Sequence, residues 1–200
     1  KSHPDLAIIT ADIYSELMYD GEFVSVIHAA PELAERTLII QGVSKTYSMT
    51  GWRIGYGIGP TDLIAAMSRI QGASTSGACS IAQAAAQEAL TGPQDEVHRM
   101  RGVFQTRRDR LVSGLRNIPG VKVPTPGGAF YAFPDMSAFY GDRVKNSFEL
   151  AEYLLDNQHI ATVPGGAFGT DACIRMSFAC SEETIDEGLE RLRKGLDGLA

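Results

Sequence analysis

The stretch "SKTYSMTGWRIGYGIGP", residues 44–60, decides how this sequence is interpreted. It places two isolated cations, Lys45 and Arg53, eight residues apart among small and apolar residues. Its last part, residues 53–59, is a short apolar run that predicts a strand if its glycines are allowed. Taken alone, Lys45 is most simply a solvated surface lysine, so the significance of the pair depends on its neighbours.

Those neighbours favour a chemical role for the two cations. Ser44 and Thr46 are small and polar, and residues 49–51 ("MTG") predict a tight turn. A lysine in such a place can attack a carbonyl carbon, and an arginine fork suits a phosphate. A cofactor that carries both an aldehyde and a phosphate needs a lysine and an arginine at a fixed separation, and pyridoxal 5'-phosphate is such a cofactor.

The composition excludes several other classes of function. The chain has 200 residues, is 44% hydrophobic and 21% charged, and has a net charge of -6, which argues against nucleic acid or an anionic membrane as a partner. Three cysteines without CxxC spacing and four scattered histidines predict neither a disulfide framework nor a metal site and fit a reducing, cytoplasmic setting. No apolar run approaches the ~20 residues of a membrane span.

The pattern along the chain predicts an α/β protein in two parts. Short apolar runs at residues 6–10, 37–42 and 53–59 are typical of strands buried on both faces of a parallel sheet. Helical patterns follow at residues 61–70, 81–90 and 95–117. Beyond them, strands ("VKV", "AFYAF", "IATV", "CIRMSFA") alternate with helices at 147–157 and 182–199, the order of a smaller α+β unit. We therefore place one domain at residues 1–94 and a second at residues 95–200.

The S-K-x-x-x-M-T-G-W-R pattern in residues 44–53 resembles the active-site lysine segment of the class I/II aminotransferases, the fold-type I pyridoxal-phosphate enzymes. The resemblance extends over essentially the whole chain, through "DIYSELMYDGEF", "STSGACSIAQAAAQEALTGPQD", "PGGAFYAFPD", "VPGGAFG" and "IRMSFA". It is strongest to bacterial aspartate and aromatic aminotransferase-like enzymes. It implies the second half of the large cofactor-binding domain, a mostly parallel sheet with helices, followed by the small carboxy-terminal domain.

The resemblance also implies a role for four residues. Lys45 would form the Schiff base with the cofactor and, once released, carry the proton at the reacting carbon. Arg53 would bind the cofactor phosphate, and Tyr14 would hydrogen-bond the cofactor's phenolic oxygen. Arg175 would bind the substrate α-carboxylate with both arms of its guanidinium. Because Arg175 stands among apolar residues with no clean alternation, we expect it to be a buried charge that needs an anion.

The sequence departs from the family pattern at one important position. The family has an aspartate three residues before the tyrosine, next to the pyridine nitrogen, and here that position is Ala11. Asp12 would face the opposite side of a strand unless a bulge turned it inward. We therefore expect slow transamination that Ala11→Asp would accelerate, or, alternatively, that Asp12 supplies the missing carboxylate.

Three functions remain open at this point. The first is an aminotransferase that moves an amino group between an amino acid, aspartate or aromatic-like, and a 2-oxo acid, as a homodimer in the complete protein. The second is a non-catalytic, aminotransferase-like sensor domain, and the third is a lyase, decarboxylase or synthase on the same fold. The family's stacking aromatic and glycine-rich phosphate loop have no counterpart in these 200 residues. We therefore expect the chain alone to be incomplete and inactive.

Overall fold

The computed structural model describes residue 3 and residues 5–199, and these form two compact units. The first unit extends to Arg101 and the second begins at Gly102. This boundary falls within helix α4 (Asp95–Arg116). The division at residues 94 and 95 that the sequence suggests therefore stays a prediction, and each unit is described by itself.

The first unit is built on a three-stranded sheet in the order β1-β2-β3. Strand β1 (Ile8–Ala11) runs parallel to β2 (Thr37–Gly42), whereas β3 (Gly55–Ile58) runs antiparallel to β2. A parallel β3 would require a crossover, usually a helix, and the link at residues 43–54 contains only the short 3₁₀ turn Thr50–Trp52. The expected mostly parallel sheet is thus mixed in this unit.

Burial differs from strand to strand in this sheet. The first half of β2 is buried on both faces, as predicted, but β1 alternates and β3 is largely exposed. The interpretation of all three strands as doubly buried is therefore wrong for β1 and β3. Helix α2 (Thr61–Ser74) packs on one face of this sheet. A Cβ placed on Gly57 of β3 would be in van der Waals contact with Ile64 and Met67 of that helix.

Two more helices complete the first unit. Helix α1 (Val26–Ala29) is one turn long and is followed by the 3₁₀ segment Pro31–Arg36. Helix α3 (Ser80–Thr91) follows α2 and contributes Ala82 and Ala86 to a buried cluster with residues of the β2–β3 link. The predicted helices at 61–70 and 81–90 are confirmed, and both extend slightly further than their periodicity indicated.

The second unit contains a small antiparallel sheet in the order β4-β6-β5. Its strands are β4 (Tyr131–Ala132), β5 (Val163–Pro164) and β6 (Ile174–Ser177). The predicted strand at residues 121–123 is wrong, because only Lys122 pairs there, in an isolated bridge with Asp135. Pro124 and Pro126 follow directly and have no N–H with which to continue a ladder.

Helices α5 (Ser147–Gln158) and α6 (Glu182–Asp197) complete the second unit, close to their predicted bounds. Both begin at a side-chain cap: Asn146 accepts from Glu149 N, and Ser181 accepts from Thr184 N. Their apolar faces and the sheet share a core of fully buried side chains, namely Leu150, Leu154, Ile174, Phe178, Leu192 and Leu196. Within residue 3 and residues 5–199, no helix has the length and apolar character of a membrane span.

Candidate functional site

A cleft opens in the first unit at the edge where β1 and β2 end and β3 begins. Lys45 follows β2 and Arg53 precedes the antiparallel β3, so the topology brings both to this edge. The cleft has a volume of about 470 Å³. It is lined by Ile13, Ile40, Gln41, Gly42, Ser44, Lys45, Thr50, Arg53, Ile54 and Gly55. The two cations that the sequence singled out thus line one cavity.

The turn that carries Lys45 is anchored from behind by the core. Tyr47 N donates to Val43 O at 3.2 Å, and Ser48 N donates to Lys45 O at 3.3 Å. Val43 is fully buried and belongs to one apolar cluster with Ile54 and the alanines of α3. Lys45 itself is half-buried. Because both ends of the link are fixed in this cluster, the lysine has a defined place beside the cleft.

Tyr47 connects the same turn, through a hydrogen bond, to the segment that precedes α4. Its hydroxyl donates to Gln94 Oε1 at 3.1 Å. Burial raises the pKa of Tyr47, and the nearby Glu16 and Tyr56 raise it further. The phenol therefore stays protonated and keeps its donor role at neutral pH.

Arg53 has an unusual backbone conformation for a residue other than glycine. Its φ is 56°, in the left-handed region, which is sparsely populated by side-chain-bearing residues and is often found at functional sites. The residue is exposed, and Nη1 donates to Thr50 O at 2.9 Å. With this one contact among the described residues, several of the five guanidinium donors remain available to an anion in the cleft.

Tyr14 lies in the turn directly after β1 and is half-buried. Its carbonyl accepts from Leu17 N at 2.9 Å. The adjacent Ile13 lines the cleft, whereas Tyr14 is not among the described residues that do so. The structure therefore brings Lys45 and Arg53 together and places the tyrosine next to their cleft without opening its side chain into it.

Asp12 is one of the few buried charged residues. Only 6% of it is exposed, whereas Ala11 is exposed. Thr10 Oγ1 donates to one carboxylate oxygen, and Asp12 N donates to Ile40 O at 3.0 Å. The other oxygen, Oδ2, is buried and has no hydrogen-bond partner among the described residues. Native proteins rarely leave such an atom unpaired, so this oxygen calls for a partner from outside the described chain.

Arg175 lies on the central strand of the second unit. Ile174 and Met176 are buried on one face of β6, while Arg175 is half-buried on the other. The strand therefore alternates cleanly, and the expectation of a fully buried charge is wrong. The guanidinium carbon lies 4.5 Å from the ring centroid of Tyr131 and 4.7 Å from that of Phe168. Among the described residues, no hydrogen-bond or ion-pair partner of this guanidinium is found.

Sequence reasoning missed some of these features and overstated others. It gave no indication that Tyr131 and Phe168 contact Arg175, because both contacts depend on how β4 and the turn after β5 lie beside β6. It overstated the burial of Arg175, which is half-buried on β6. No group of three or more metal-ligating side chains that could hold a metal ion was found in the described part of the chain.

Comparison with known proteins identifies the family to which this chain belongs. The sequence model of the family "Aminotransferase class I and II" matches residues 1–192, so the chain belongs to that family. The fold is that of the fold-type I pyridoxal-phosphate aminotransferases, and the family's members are pyridoxal-phosphate enzymes.

Individual members of the family are similar to this chain in sequence and in structure. The chain is 43% identical to an aspartate aminotransferase of Rhizobium meliloti (strain 1021), over 99% of this chain and 50% of the relative. A crystal structure of the aspartate aminotransferase from Rhizobium meliloti superposes with a TM-score of 0.93 at 43% identity, covering 98% of this chain and 51% of that one. An aromatic aminotransferase from Pyrococcus horikoshii OT3 gives a TM-score of 0.89 at 31% identity, over 100% and 54%. The chain spans about half the length of the relatives it matches.

Proposed function

We propose that this chain forms part of a pyridoxal-phosphate-dependent aminotransferase that moves an amino group between an amino acid and a 2-oxo acid. The observation that carries the proposal is the cleft lined by both Lys45 and Arg53, in a chain of this family. Its volume of about 470 Å³ lies within the range of small-molecule pockets. A lysine and an arginine on one cavity suit a ligand that carries an aldehyde and a phosphate.

The residues around the cleft fit this cofactor. Lys45 supplies the amine that bonds to the aldehyde carbon and later moves the substrate's Cα proton, while Arg53 supplies donors to the phosphate. Ser44 and Thr50, which also line the cleft, can add hydroxyl donors. When bound, the cofactor supplies an electron sink for the bonds at the substrate's Cα.

Asp12 is the carboxylate that we assign to the ring nitrogen of the cofactor. Its unpaired, buried Oδ2 stands at the end of β1, the same sheet edge that bears Lys45 and Arg53. A carboxylate beside that nitrogen favours the protonated ring. This assignment supports the second of the two alternatives for the position of Ala11. Tyr14, two residues further on, keeps its proposed role at the phenolic oxygen.

The substrates follow from Arg175 and from the relatives. A half-buried guanidinium without another anion among the described residues suits a substrate carboxylate. The relatives are named aspartate and aspartate/prephenate aminotransferases, which supports an acidic or aromatic-like amino acid with its 2-oxo acid partner. A cytoplasmic homodimer without nucleic-acid or membrane partners completes the proposal. These names also support transamination over the sensor and lyase alternatives.

The test is the half-reaction of the full-length protein that carries this chain. Purified holoenzyme is mixed with aspartate, and the cofactor is followed by its absorption and by analysis of the released carbonyl product. An aminotransferase converts the cofactor to its pyridoxamine form and releases the matching 2-oxo acid. A lyase would release product while the cofactor stays in its aldehyde form, and a sensor would bind the amino acid without product. Either of these last two results contradicts the proposal.

A further inference from the structure

Among the described residues, the guanidinium of Arg175 contacts two aromatic rings, and no polar partner of it is found. The rings of Tyr131 and Phe168 lie 4.5 Å and 4.7 Å from its central carbon. We propose that Tyr131 and Phe168 are positioning residues that fix the plane of this guanidinium so that its N–H edge is presented to a substrate carboxylate. This inference rests on the proposed function, in which Arg175 binds that carboxylate.

The sheet order explains how the two rings reach the same side chain. Strand β6 is central, with β4 on one side and β5 on the other. Tyr131 of β4 pairs with Ser177, two residues from Arg175 and on the same face. On the other side, Arg175 pairs with Val163 of β5, and Phe168 belongs to the 3₁₀ turn Gly165–Phe168 that follows β5. One ring therefore comes from β4 and the other from the turn after β5, so that the two rings reach Arg175 from its two sides of the sheet.

Rings hold an arginine in a way that an acidic partner would not. An aspartate or glutamate would occupy the N–H donors and neutralise the charge that the substrate must meet. An aromatic face instead contacts the flat side of the guanidinium and leaves all five in-plane donors available. A carboxylate binds in that plane, through two parallel hydrogen bonds. Restricting the long side chain before binding also reduces the conformational entropy lost when the substrate arrives.

The turn that carries Phe168 is fixed by close packing of its backbone. Gly165 N donates to Cys173 O at 2.8 Å, and a Cβ on Gly165 would lie 2.2 Å from that oxygen. Gly166 N donates to Ser147 Oγ at 3.0 Å, and Ser147 Oγ donates in turn to Asp171 Oδ1 at 2.6 Å. Hydrogen bonds thus fix the turn both to Cys173, the residue before β6, and to the start of α5.

Each ring of the pair also has its own aromatic support. Phe133 meets Phe168 edge to face, with centroids 6.0 Å apart. Phe130 packs against Tyr131 with centroids 4.8 Å apart. Although Phe168 is half exposed, its ring is therefore restrained on two sides, by Arg175 and by Phe133. Such restraint is what a residue that positions another side chain requires.

The proposal predicts a specific kinetic pattern. The carboxylate is bound in the same way in the ground state and in the transition state, so loss of the rings weakens both equally. KM for the amino acid should rise, while kcat stays near the parent value. One cation–π contact corresponds to a factor of about 3 to 30, so we expect a rise of roughly tenfold in the double variant.

The experiment compares ring-removing with ring-keeping variants of the full-length holoenzyme. The first set is Tyr131→Leu, Phe168→Leu and their combination, and the second is Tyr131→Phe and Phe168→Tyr. The matched control is Tyr153→Leu, which removes a ring 5.9 Å from the guanidinium carbon of Arg143 elsewhere in the same unit. Each variant is assayed for KM and kcat with aspartate, for the dissociation constant of succinate, and for thermal unfolding.

The expected result is weaker succinate binding and a raised KM in the leucine variants only, with the ring-keeping variants and Tyr153→Leu close to the parent. A double leucine variant that folds and binds succinate within twofold of the parent would overturn the proposal. Weakened binding in the ring-keeping variants would overturn it too, because then the ring faces are not what matters.

If the parent binds succinate but does not transaminate, the proposed function fails while the role of the rings is still decided by binding. A parent that transaminates but binds no succinate contradicts the inference alone, because the guanidinium then does not present its donors to a carboxylate.

Discussion

The two units of this chain differ in how completely they bury their apolar side chains. In the second unit, helices α5 and α6 and the small sheet enclose a core with several side chains at or near zero exposure, including Leu150, Phe178 and Leu192. In the first unit, large apolar side chains stay exposed along β1, α2 and α3, among them Ile9 at 72%, Ile70 at 72% and Ile81 at 71%. Surfaces of this kind are typical of contact with further protein.

The difference predicts where substitutions affect function first and where they affect folding first. Lys45, Arg53 and Asp12 lie at the edge of a small sheet, where the local cluster of Val43 and Ile54 fixes the turn. Arg175 lies on a unit that is packed around its own core. We therefore expect substitutions in the first unit's cleft to remove function with little change in folding, and substitutions under the second unit's turns to affect folding first.

The largest expected effect is at the lysine. Lys45→Ala removes the one amine among the described residues that line the cleft, so the cofactor can no longer be fixed to the protein there. Borohydride reduction of the parent holoenzyme followed by peptide mass mapping should place the pyridoxyl group on Lys45, and Lys45→Ala should carry none. Lys122→Ala serves as the control and should label like the parent. Labelling of Lys122 or Lys145 in the parent would contradict the assignment.

The next effect is at the buried carboxylate. Asp12→Asn keeps the shape of the side chain and removes the charge that we propose to lie beside the ring nitrogen. We expect kcat to fall roughly a hundred- to thousandfold, corresponding to about 3–4 kcal/mol of transition-state stabilisation. Cofactor attachment at Lys45 should persist, which mass mapping can verify.

Ala11→Asp is the matched comparison for that experiment. Ala11 is exposed on the other face, so a carboxylate there should leave kcat within about twofold of the parent, as surface changes usually do. If Ala11→Asp accelerated transamination and Asp12→Asn left it unchanged, the ring nitrogen would have no carboxylate partner in the parent, and Asp12 would be a structural residue.

Much of this arrangement could be predicted from sequence because it is local. The motif at residues 44–53 identified Lys45 and Arg53, and helical periodicity placed α2 through α6 to within a few residues. The direction of β3 was missed, although the absence of a crossover helix in residues 43–54 is a usable signal. The burial of Asp12 depends on where β1 ends, and the rings around Arg175 depend on tertiary contacts. Alternation of residues along one strand predicts neither of these features.

A third, smaller effect tests the packing of the second unit. Gly165→Ala forces a Cβ to within 2.2 Å of Cys173 O, a backbone atom that cannot move without disturbing β6. We expect a loss of about 2–4 kcal/mol in the free energy of unfolding. Gly188→Ala is the matched control: it lies within α6, where no described atom beyond its own helix turn lies within 4 Å of the added Cβ, and it should be neutral or stabilising by up to about 1 kcal/mol. Equal melting temperatures for the two variants would contradict the rigid turn.

The smallest expected effect is a pH dependence at Asp135 in the second unit. Ser137 donates to Asp135 Oδ1 from its hydroxyl at 2.7 Å and from its backbone N–H at 2.9 Å. The hydrogen bond from the Ser137 hydroxyl makes the largest contribution to lowering the pKa of Asp135, and the bond from the Ser137 N–H makes the next. The charge of Lys122 lowers the pKa by a smaller amount. A carboxylate with a lowered folded-state pKa contributes stability that is present above its ordinary pKa near 4 and is lost as the pH falls through the lowered value.

The measurement is thermal unfolding between neutral pH and about pH 3. Asp135→Asn should be slightly less stable than the parent at pH 7, and the difference should vanish toward the acidic end, since the protonated aspartate also lacks the charge. Asp156→Asn, at an exposed site on α5, is the control and should follow the parent throughout. Because Asp135 is only half-buried, the effect should be shallow. A difference that grew as the pH fell would mean that the protonated side chain is the favoured form, and that the hydrogen bonds from Ser137 do not stabilise the carboxylate.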